Sequence, residues 1–250
     1  MSKYLLIFFF FFNCFISLFP NDIFSIEEDN IEIEYTINLI DEVDDYGSIL
    51  FYRGLLKSDG NDSEFRFTLK DTIFESELLG SFEINSNNFK KFFYKNLENS
   101  VVYYKEKRGL KNPIIIKDNV KINWNLSNET KIINGAKCYK AYCTFRGRDY
   151  EAFYDKSIPF KDGPFKFSGL PGLILEINSL DGSVKMKASL ITYTFEETPV
   201  NPYKGLVDVS SFSDYKKSYI KYFKKMTGYK SDLDSEVFVP KRYIEYLVDE

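Results

Sequence analysis

Apolar and polar side chains alternate with a period of two over much of this chain, and this alternation constrains the fold more than any other feature. In the clearest run, from Ile31 to Leu39, every second side chain is apolar. Successive side chains of an extended strand point to opposite faces, so such a run buries one face and exposes the other. Similar runs recur as far as Thr194, and turn signals such as Asp181-Gly182 separate them. The pattern predicts a mainly β fold built on an antiparallel sheet.

Three regions are assigned from weaker patterns. Residues 85–99 place phenylalanines at helical spacing, which predicts a short helix. Residues 64–77 predict two short strands that are joined at Asp71. Residues 121–126 predict another strand, and it carries Trp124, for which we expect a structural role in the core.

Near the C-terminus the apolar period lengthens to between three and four residues. Phe212, Tyr215, Tyr219 and Phe223 follow this spacing within residues 211–228. The spacing predicts a C-terminal amphipathic helix. We expect its lysine-rich face to be solvated, and any membrane association to be peripheral at most.

The N-terminal segment, residues 1–20, has the pattern of a signal peptide. Lys3 precedes an apolar run of about 15 residues, which is shorter than the roughly 20 that a membrane-spanning helix needs. We expect cleavage between residues 19 and 25; an uncleaved anchor is the alternative. Residues 21–250 then suit one antiparallel β domain. We expect the mature protein in the periplasm, in the outer membrane or secreted.

The chain contains no histidine, and this excludes several kinds of chemistry. Histidine is the only side chain whose unperturbed pKa lies near neutrality, so Ser-His-Asp and Cys-His catalytic sites cannot be built. Zinc, copper and haem sites with imidazole ligands are excluded too. We therefore expect no cofactor and no metal, and we assign no catalytic residue. The net charge of −4 gives no electrostatic reason to expect nucleic acid.

Two cysteines follow the predicted signal peptide. Cys138 and Cys143 lie five residues apart in a predicted strand, Ala136 to Phe145. On one extended strand they would be roughly 16 Å apart and on opposite faces, so we expect no disulfide between them unless a bulge or turn intervenes. The period of two places Cys143 on the buried face, where we expect it to act as a small core residue.

The densest patterning surrounds a hexapeptide, Gly169-Leu170-Pro171-Gly172-Leu173-Ile174. Pro171 and Gly172 suit the two central positions of a type II turn, because proline fixes φ and glycine accepts a positive φ. The apolar residues that follow predict a buried strand.

This segment strongly resembles the GLPGLI family of secreted Bacteroidota proteins, which is named after the hexapeptide. The resemblance covers about 55 residues, and Phe153 stands where the family often has tryptophan. The matching positions are Trp124, residues 131–141, residues 145–148, Tyr154, residues 158–159 and residues 163–167. The resemblance implies export and an envelope or secreted setting, but it supplies no established activity. It also implies a curved antiparallel sheet or half-barrel, similar to periplasmic lipoprotein carriers, that shelters an apolar cavity.

Two arginines are the first candidates for ligand binding. The period of two puts Arg146 and Arg148 on one polar face near a predicted turn. Paired guanidinium groups can bind a carboxylate or a phosphate. The alternative is that both form surface ion pairs with some of the 37 acids, for instance Asp149 or Glu151.

Lys166 and Glu176 are the other candidates for ligand binding. One interpretation is that they form a buried pair. The alternative is that both reach solvent at the sheet edge. Structural roles are assigned to Pro171, Gly172, Trp124 and Cys143.

Three functions remain open at this point. The leading hypothesis is a binding or interaction module of the envelope, which holds an apolar small molecule or docks on an outer-membrane protein. A secreted hydrolase that uses two acids about 5 to 9.5 Å apart is one alternative. A structural surface protein with an open edge strand is the other. A non-enzymatic role is favoured.

Overall fold

The computed structural model describes residues 30–43, 46–76, 80–85, 90–106, 112–195, 198–227 and 244–245. The predicted signal peptide lies outside the described residues. Within these ranges the chain forms thirteen strands and one helix. In chain order they are β1 (Asn30–Val43), β2 (Tyr46–Ser58), β3 (Asp62–Ser76), β4 (Gly80–Asn85), β5 (Lys90–Asn96), β6 (Val101–Glu106), β7 (Ile114–Asn119), β8 (Asn125–Ile133), β9 (Ala136–Phe145), β10 (Arg148–Asp155), β11 (Leu173–Ser179), β12 (Val184–Thr194), β13 (Val209–Ser211) and α1 (Phe212–Thr227).

These thirteen strands form one open sheet. Neighbouring strands are antiparallel, except that β13 and β7 are parallel. The order across the sheet is β13, β7, β6, β5, β3, β2, β1, β12, β11, β10, β9, β8, and β4 pairs with β3 beside this path. Most strands that are adjacent in the sheet are also adjacent in the chain. The predicted mainly β fold is confirmed.

The sheet curves strongly, because side chains from distant strands meet. β7 and β10 are eight strands apart in the order, which would be about 38 Å in a flat sheet at about 4.8 Å per strand. Yet Arg146, in the turn before β10, donates a hydrogen bond of 2.6 Å to Asp118 of β7. The sheet must therefore bend until its two ends approach each other.

Side chains of β1 lie at the centre of the core. The five predicted inward residues are all buried, which confirms their assignment: Ile31, Ile33, Tyr35, Ile37 and Leu39. The hydroxyl of Tyr35 donates to the carbonyl of Ile174 in β11 at 2.7 Å. This bond gives the buried phenol a partner, as buried polar groups require.

The connection between β10 and β11, residues 156–172, packs against β5 on the far half of the sheet. The rings of Phe165 and Phe93 lie 5.0 Å apart, edge to face. Lys95 of β5 forms an ion pair with Asp162, and both side chains are almost completely buried. Lys95 also donates to the carbonyl of Gly163 at 2.7 Å. The connection thus bridges the two halves of the curved sheet.

β5 lies at residues 90–96, inside the region for which a short helix is predicted, and that prediction is wrong there. β5 pairs with β3 on one side and with β6 on the other. Phe93, Tyr94 and Lys95 are buried in succession, so both faces of the strand are covered. A short strand that is buried on both faces shows no period of two, and its aromatic spacing can imitate one face of a helix.

β3 is one continuous strand, so the prediction of two short strands joined at Asp71 is wrong. Asp71 pairs with Phe51 of β2, directly beside a shift in register between Phe51 and Tyr52. The extra residue is therefore absorbed as a bulge, which lets the strand bend without ending.

Trp124 lies just before β8, and the predicted strand over residues 121–126 is wrong for most of its length. Its ring is partly buried beside that of Phe167. The indole Nε1 donates to the carbonyl of Ser168 at 2.9 Å. Trp124 thereby ties the start of β8 to the β10–β11 connection.

The hexapeptide turns the chain into β11, but by a different turn from the predicted one. The N–H of Gly172 donates to the carbonyl of Leu170 at 2.8 Å, which makes a three-residue γ-turn at Pro171. In a type II turn the N–H of Leu173 would donate to the carbonyl of Leu170. Here the N–H of Leu173 donates to the carbonyl of Ile158 at 3.1 Å. The predicted position of the turn is correct and its predicted class is wrong.

The predicted C-terminal helix is confirmed as α1. Ser211 caps it: its hydroxyl accepts the N–H of Asp214 at 3.1 Å and donates to that carboxylate at 2.7 Å. Phe212 and Tyr215 are buried beneath the helix. Over the residues that the structure describes, no helix combines the length and the apolar character needed to span a membrane.

Candidate functional site

Arg146 occupies the turn between β9 and β10 in an unusual backbone conformation. Its φ is +53° and that of Gly147 is +78°, so the turn places a non-glycine residue in the left-handed region. The guanidinium group bonds to Asp118 and lies 3.5 Å from the centroid of the Phe212 ring, in cation–π geometry. The side chain is directed towards β7 and α1 rather than into solvent.

Lys166 lies in the β10–β11 connection and converges on the same place. Its Nζ is 3.0 Å from Oδ2 of Asp118 and 2.9 Å from Oε2 of Glu245, and its side chain is 1% exposed. The Lys166 ammonium also contacts the hydroxyl of Tyr104 at 3.1 Å. The preceding residue, Phe165, has a φ of +56°. Both cations of the site are therefore held next to left-handed backbone.

The dipeptide Ile244–Glu245 completes the cluster. Ile244 is 5% exposed and its carbonyl accepts a hydrogen bond from the hydroxyl of Tyr150. Glu245 accepts from Lys166 with both carboxylate oxygens, at 3.1 and 2.9 Å, and its Oε1 lies 3.5 Å from Nε of Arg146.

We call Arg146, Lys166, Asp118 and Tyr150 the carboxylate seat. Burial and the charge of Glu245 raise the pKa of the neighbouring Tyr104 hydroxyl, and burial raises that of Tyr150. Both phenols therefore stay protonated and act as neutral hydrogen-bonding groups. Chemically, the arrangement is suited to hold a carboxylate.

Arg148 does not join Arg146, so their predicted shared polar face is wrong. Its side chain is 3% exposed, and its Nε lies 3.1 Å from Oδ2 of Asp181. The Arg146-Gly147 turn reverses the chain between the two arginines, which sends them to different parts of the molecule. Both arginines form ion pairs, as the alternative expects, but with Asp118 and Asp181 rather than with the examples Asp149 and Glu151.

Glu176 lies apart from Lys166, and both readings of that pair are wrong. Glu176 forms an ion pair with Lys131 at 2.7 Å and accepts from the amide of Asn178 at 2.8 Å. Nor do both side chains reach solvent, since Lys166 is 1% and Glu176 is 7% exposed. β11 is buried on both faces and lies between β10 and β12. Glu176 therefore has neither an open face nor an open edge beside it.

Both cysteines are buried and free, so the prediction of no disulfide between them is confirmed. Burial raises the pKa of Cys138 to about 11 and that of Cys143 to about 12. Neither thiol is activated as a nucleophile at neutral pH. Within the described ranges, no group of three or more Cys, Asp and Glu side chains is arranged to hold a metal ion.

Sequence reasoning missed three members of the site: Asp118, Tyr150 and Glu245. Asp118 carried a usable signal, because it falls on the same strand face as Ile116 and Val120, and all three are buried. A carboxylate between two apolar residues at a period of two implies a buried partner. Glu245 carried no comparable local signal.

The fold and the seat define an open, curved β-sheet protein whose two ends are joined by buried ion pairs. A family model described as "Protein of unknown function (Porph_ging)" matches residues 145–176, which include Arg146, Lys166 and the hexapeptide. Comparison with curated proteins gives no match.

Solved structures that are similar to this chain include the following three. Structures of PNGF-II in C2 and P21 space groups have TM-scores of 0.48 and 0.47, each at 16% identity and over 77% of this chain. The chain spans about a third of the PNGF-II length, 33% and 34% respectively. A domain from Vibrio parahaemolyticus, described as an outer membrane lipoprotein-sorting protein, has a TM-score of 0.24 at 8% identity, over 78% of this chain and 93% of its own.

Proposed function

We propose that this chain is an exported envelope protein of the GLPGLI family that acts as a binding or interaction module for an outer-membrane protein. The match of the Porph_ging model falls within the segment that carries the family resemblance. The signal-peptide pattern of residues 1–20 supports export. Residues 21–250 are proposed as one mature domain, because a single sheet includes strands from residue 30 to residue 211.

The observation that carries the interaction proposal is the edge strand β8; an open edge also suits the structural surface protein, and capture of an outer-membrane protein separates the two. It ends the strand order and, within the described ranges, it pairs along one side only, with β9. Leu126 and Ile132 of this strand are 59% and 66% exposed. An open edge offers N–H and C=O groups to an added strand, and exposed apolar side chains favour association. The proposed partner supplies an extended segment that pairs with β8.

Affinity capture from an envelope extract tests this proposal. The full-length chain is compared with Ile132→Lys and with a control, Leu190→Lys. Leu190 is 53% exposed but lies in β12, which has neighbours on both sides. A lysine on an edge strand opposes pairing, so we expect Ile132→Lys to lose an outer-membrane protein that the wild type and Leu190→Lys retain. Equal retention by both variants, or no such protein with the wild type, contradicts the proposal.

Export is tested by the intact mass of the protein recovered from the envelope or the medium. We expect the mass to fall below 29.4 kDa by the mass of the first 19 to 25 residues. A product that keeps 29.4 kDa and stays in the cytoplasm contradicts export.

Two alternatives are tested by other observations. Retention of an apolar small molecule, the other form of the binding hypothesis, is tested by native mass spectrometry of the purified protein. The hydrolase alternative requires two converging acids. Among the described residues, Asp118 and Glu245 converge on Lys166, and Glu129 and Glu151 converge on Lys140. All four acids are engaged by a cation, so the geometry favours a module without catalytic activity.

A further inference from the structure

The charges of the carboxylate seat do not balance without Glu245. Arg146 and Lys166 contribute two positive charges, and Asp118 contributes one negative charge. Lys166 and Asp118 are each 1% exposed, so water screens their charges poorly. A buried, uncompensated cation is strongly unfavourable. The seat therefore requires one more anion, and Glu245 supplies it.

The contacts to the dipeptide recognise three separate features. Tyr150 donates to a backbone carbonyl, the core receives the side chain of Ile244, and the two cations bind a carboxylate. A lone inorganic anion would use only the last of these features. The combination suits a peptide in which an apolar residue precedes a glutamate.

The seat itself is built by parts of the fold that lie far from residue 245. Arg146 comes from the β9–β10 turn, Lys166 from the β10–β11 connection and Asp118 from β7. The separation between Lys166 and Glu245 is 79 residues. The seat is thus assembled from the sheet, and the dipeptide is an added element that it holds.

We propose that the carboxylate seat is a binding site for an apolar–glutamate peptide segment, and that in the free chain Ile244–Glu245 occupies it. A partner that carries a segment of this chemistry would bind by displacing the dipeptide. This inference does not depend on the β8 edge or on the proposed function.

The first experiment removes the resident carboxylate from the full-length chain. Glu245→Ala is expected to lower the melting temperature, because Lys166 and Arg146 are then left with one carboxylate, Asp118, between them. Sodium acetate is expected to restore part of that loss at concentrations where sodium chloride of equal ionic strength does not. Glu129→Ala is the matched control, since Glu129 also pairs with a lysine, Lys140, but its side chain is 63% exposed. An equal response to acetate and chloride overturns the proposal.

The second experiment uses the peptide Arg-Tyr-Ile-Glu-Tyr-Leu, which is the sequence of residues 242–247. Isothermal titration is expected to show it binding to Glu245→Ala at least tenfold more tightly than to the wild type, whose seat is filled. A peptide with glutamine in place of the glutamate is expected to bind at least tenfold more weakly to that variant. If Glu245→Ala does not fold, Glu245→Gln replaces it, because the amide keeps the size of the carboxylate and removes its charge. Equal binding of the two peptides, or no binding, overturns the proposal.

Discussion

Replacement of Gly172 by alanine should be among the most damaging single changes in the hexapeptide. Gly172 has a φ of +149°, and a Cβ placed there would lie 2.1 Å from the carbonyl oxygen of Asp155 and 2.9 Å from Cα of Lys156. Both of these are backbone atoms of β10 or of the residue after it. They cannot move aside easily, because Asp155 is paired with Leu173 in the sheet.

The expected cost follows from two terms. A non-glycine residue in a sparsely populated backbone region costs about 1 to 3 kcal/mol, and forced overlap in a packed site adds about 1 to 3 kcal/mol. The sum, roughly 2 to 6 kcal/mol, is a large part of the 5 to 15 kcal/mol that stabilises a typical domain. Gly169 provides the control, because its φ is +92° and no heavy atom lies within 4 Å of an added Cβ. Gly169→Ala should therefore cost only the backbone term.

Urea denaturation of the full-length variants measures this difference. Trp124 is the only tryptophan, so its fluorescence reports the region that the hexapeptide supports. We expect Gly172→Ala to lose at least about 1 kcal/mol more than Gly169→Ala, with both slopes unchanged. If Gly172→Ala does not fold, its far-ultraviolet circular dichroism should show this while Gly169→Ala keeps the β spectrum. Equal stability of the two variants would refute the close-approach argument.

Three further predictions concern buried polar groups. Lys95→Met should cost about 3 to 5 kcal/mol, because it leaves Asp162 charged and buried without its cation. The double variant Lys95→Met and Asp162→Leu should recover much of that loss. A double variant that is no more stable than the single one in urea denaturation would contradict this. The buried thiols of Cys138 and Cys143 have pKa values of about 11 and about 12. They should resist Ellman's reagent at pH 8 in the native protein and react after unfolding. Rapid labelling of the native protein would contradict this. Burial raises the pKa of the Tyr150 hydroxyl, so above pH about 10 the unfolded chain releases this proton and the folded chain keeps it. Stability should therefore fall as the pH rises. A melting temperature that is constant from pH 9 to 11 would contradict this.

Strand faces were predictable wherever one side of the sheet is covered. Ile31 to Leu39 show the period of two because a core lies on one side of β1 only, and every predicted inward residue is buried. In β5 the same reasoning fails, because the strand is covered on both faces around Lys95. The buried lysine there is made possible by Asp162, 67 residues later, which no local pattern reveals.

The hexapeptide shows where local reasoning ends. Proline and glycine preferences correctly place a turn at Pro171, because they depend on the dihedral angles of the residues themselves. The class of the turn depends on which acceptor the N–H of Leu173 takes, and the acceptor is Ile158 rather than Leu170. A tertiary hydrogen bond has therefore replaced the local one that a type II turn requires.

The ion pairs of the candidate site were beyond sequence reasoning for a related reason. The chain has 37 acids, and no local pattern identifies which of them pair with Arg146 and Lys166. Only the curvature of the sheet brings Asp118 within 2.6 Å of Arg146. Curvature and charge pairing thus support each other, since a flat sheet would leave these cations without Asp118. Removal of the carboxylates would leave two neighbouring cations that repel each other. The double variant Arg146→Met and Lys166→Met leaves Asp118 and Glu245 facing each other without a cation. We predict that it is less stable in urea denaturation than a quadruple variant that also carries Asp118→Leu and Glu245→Leu.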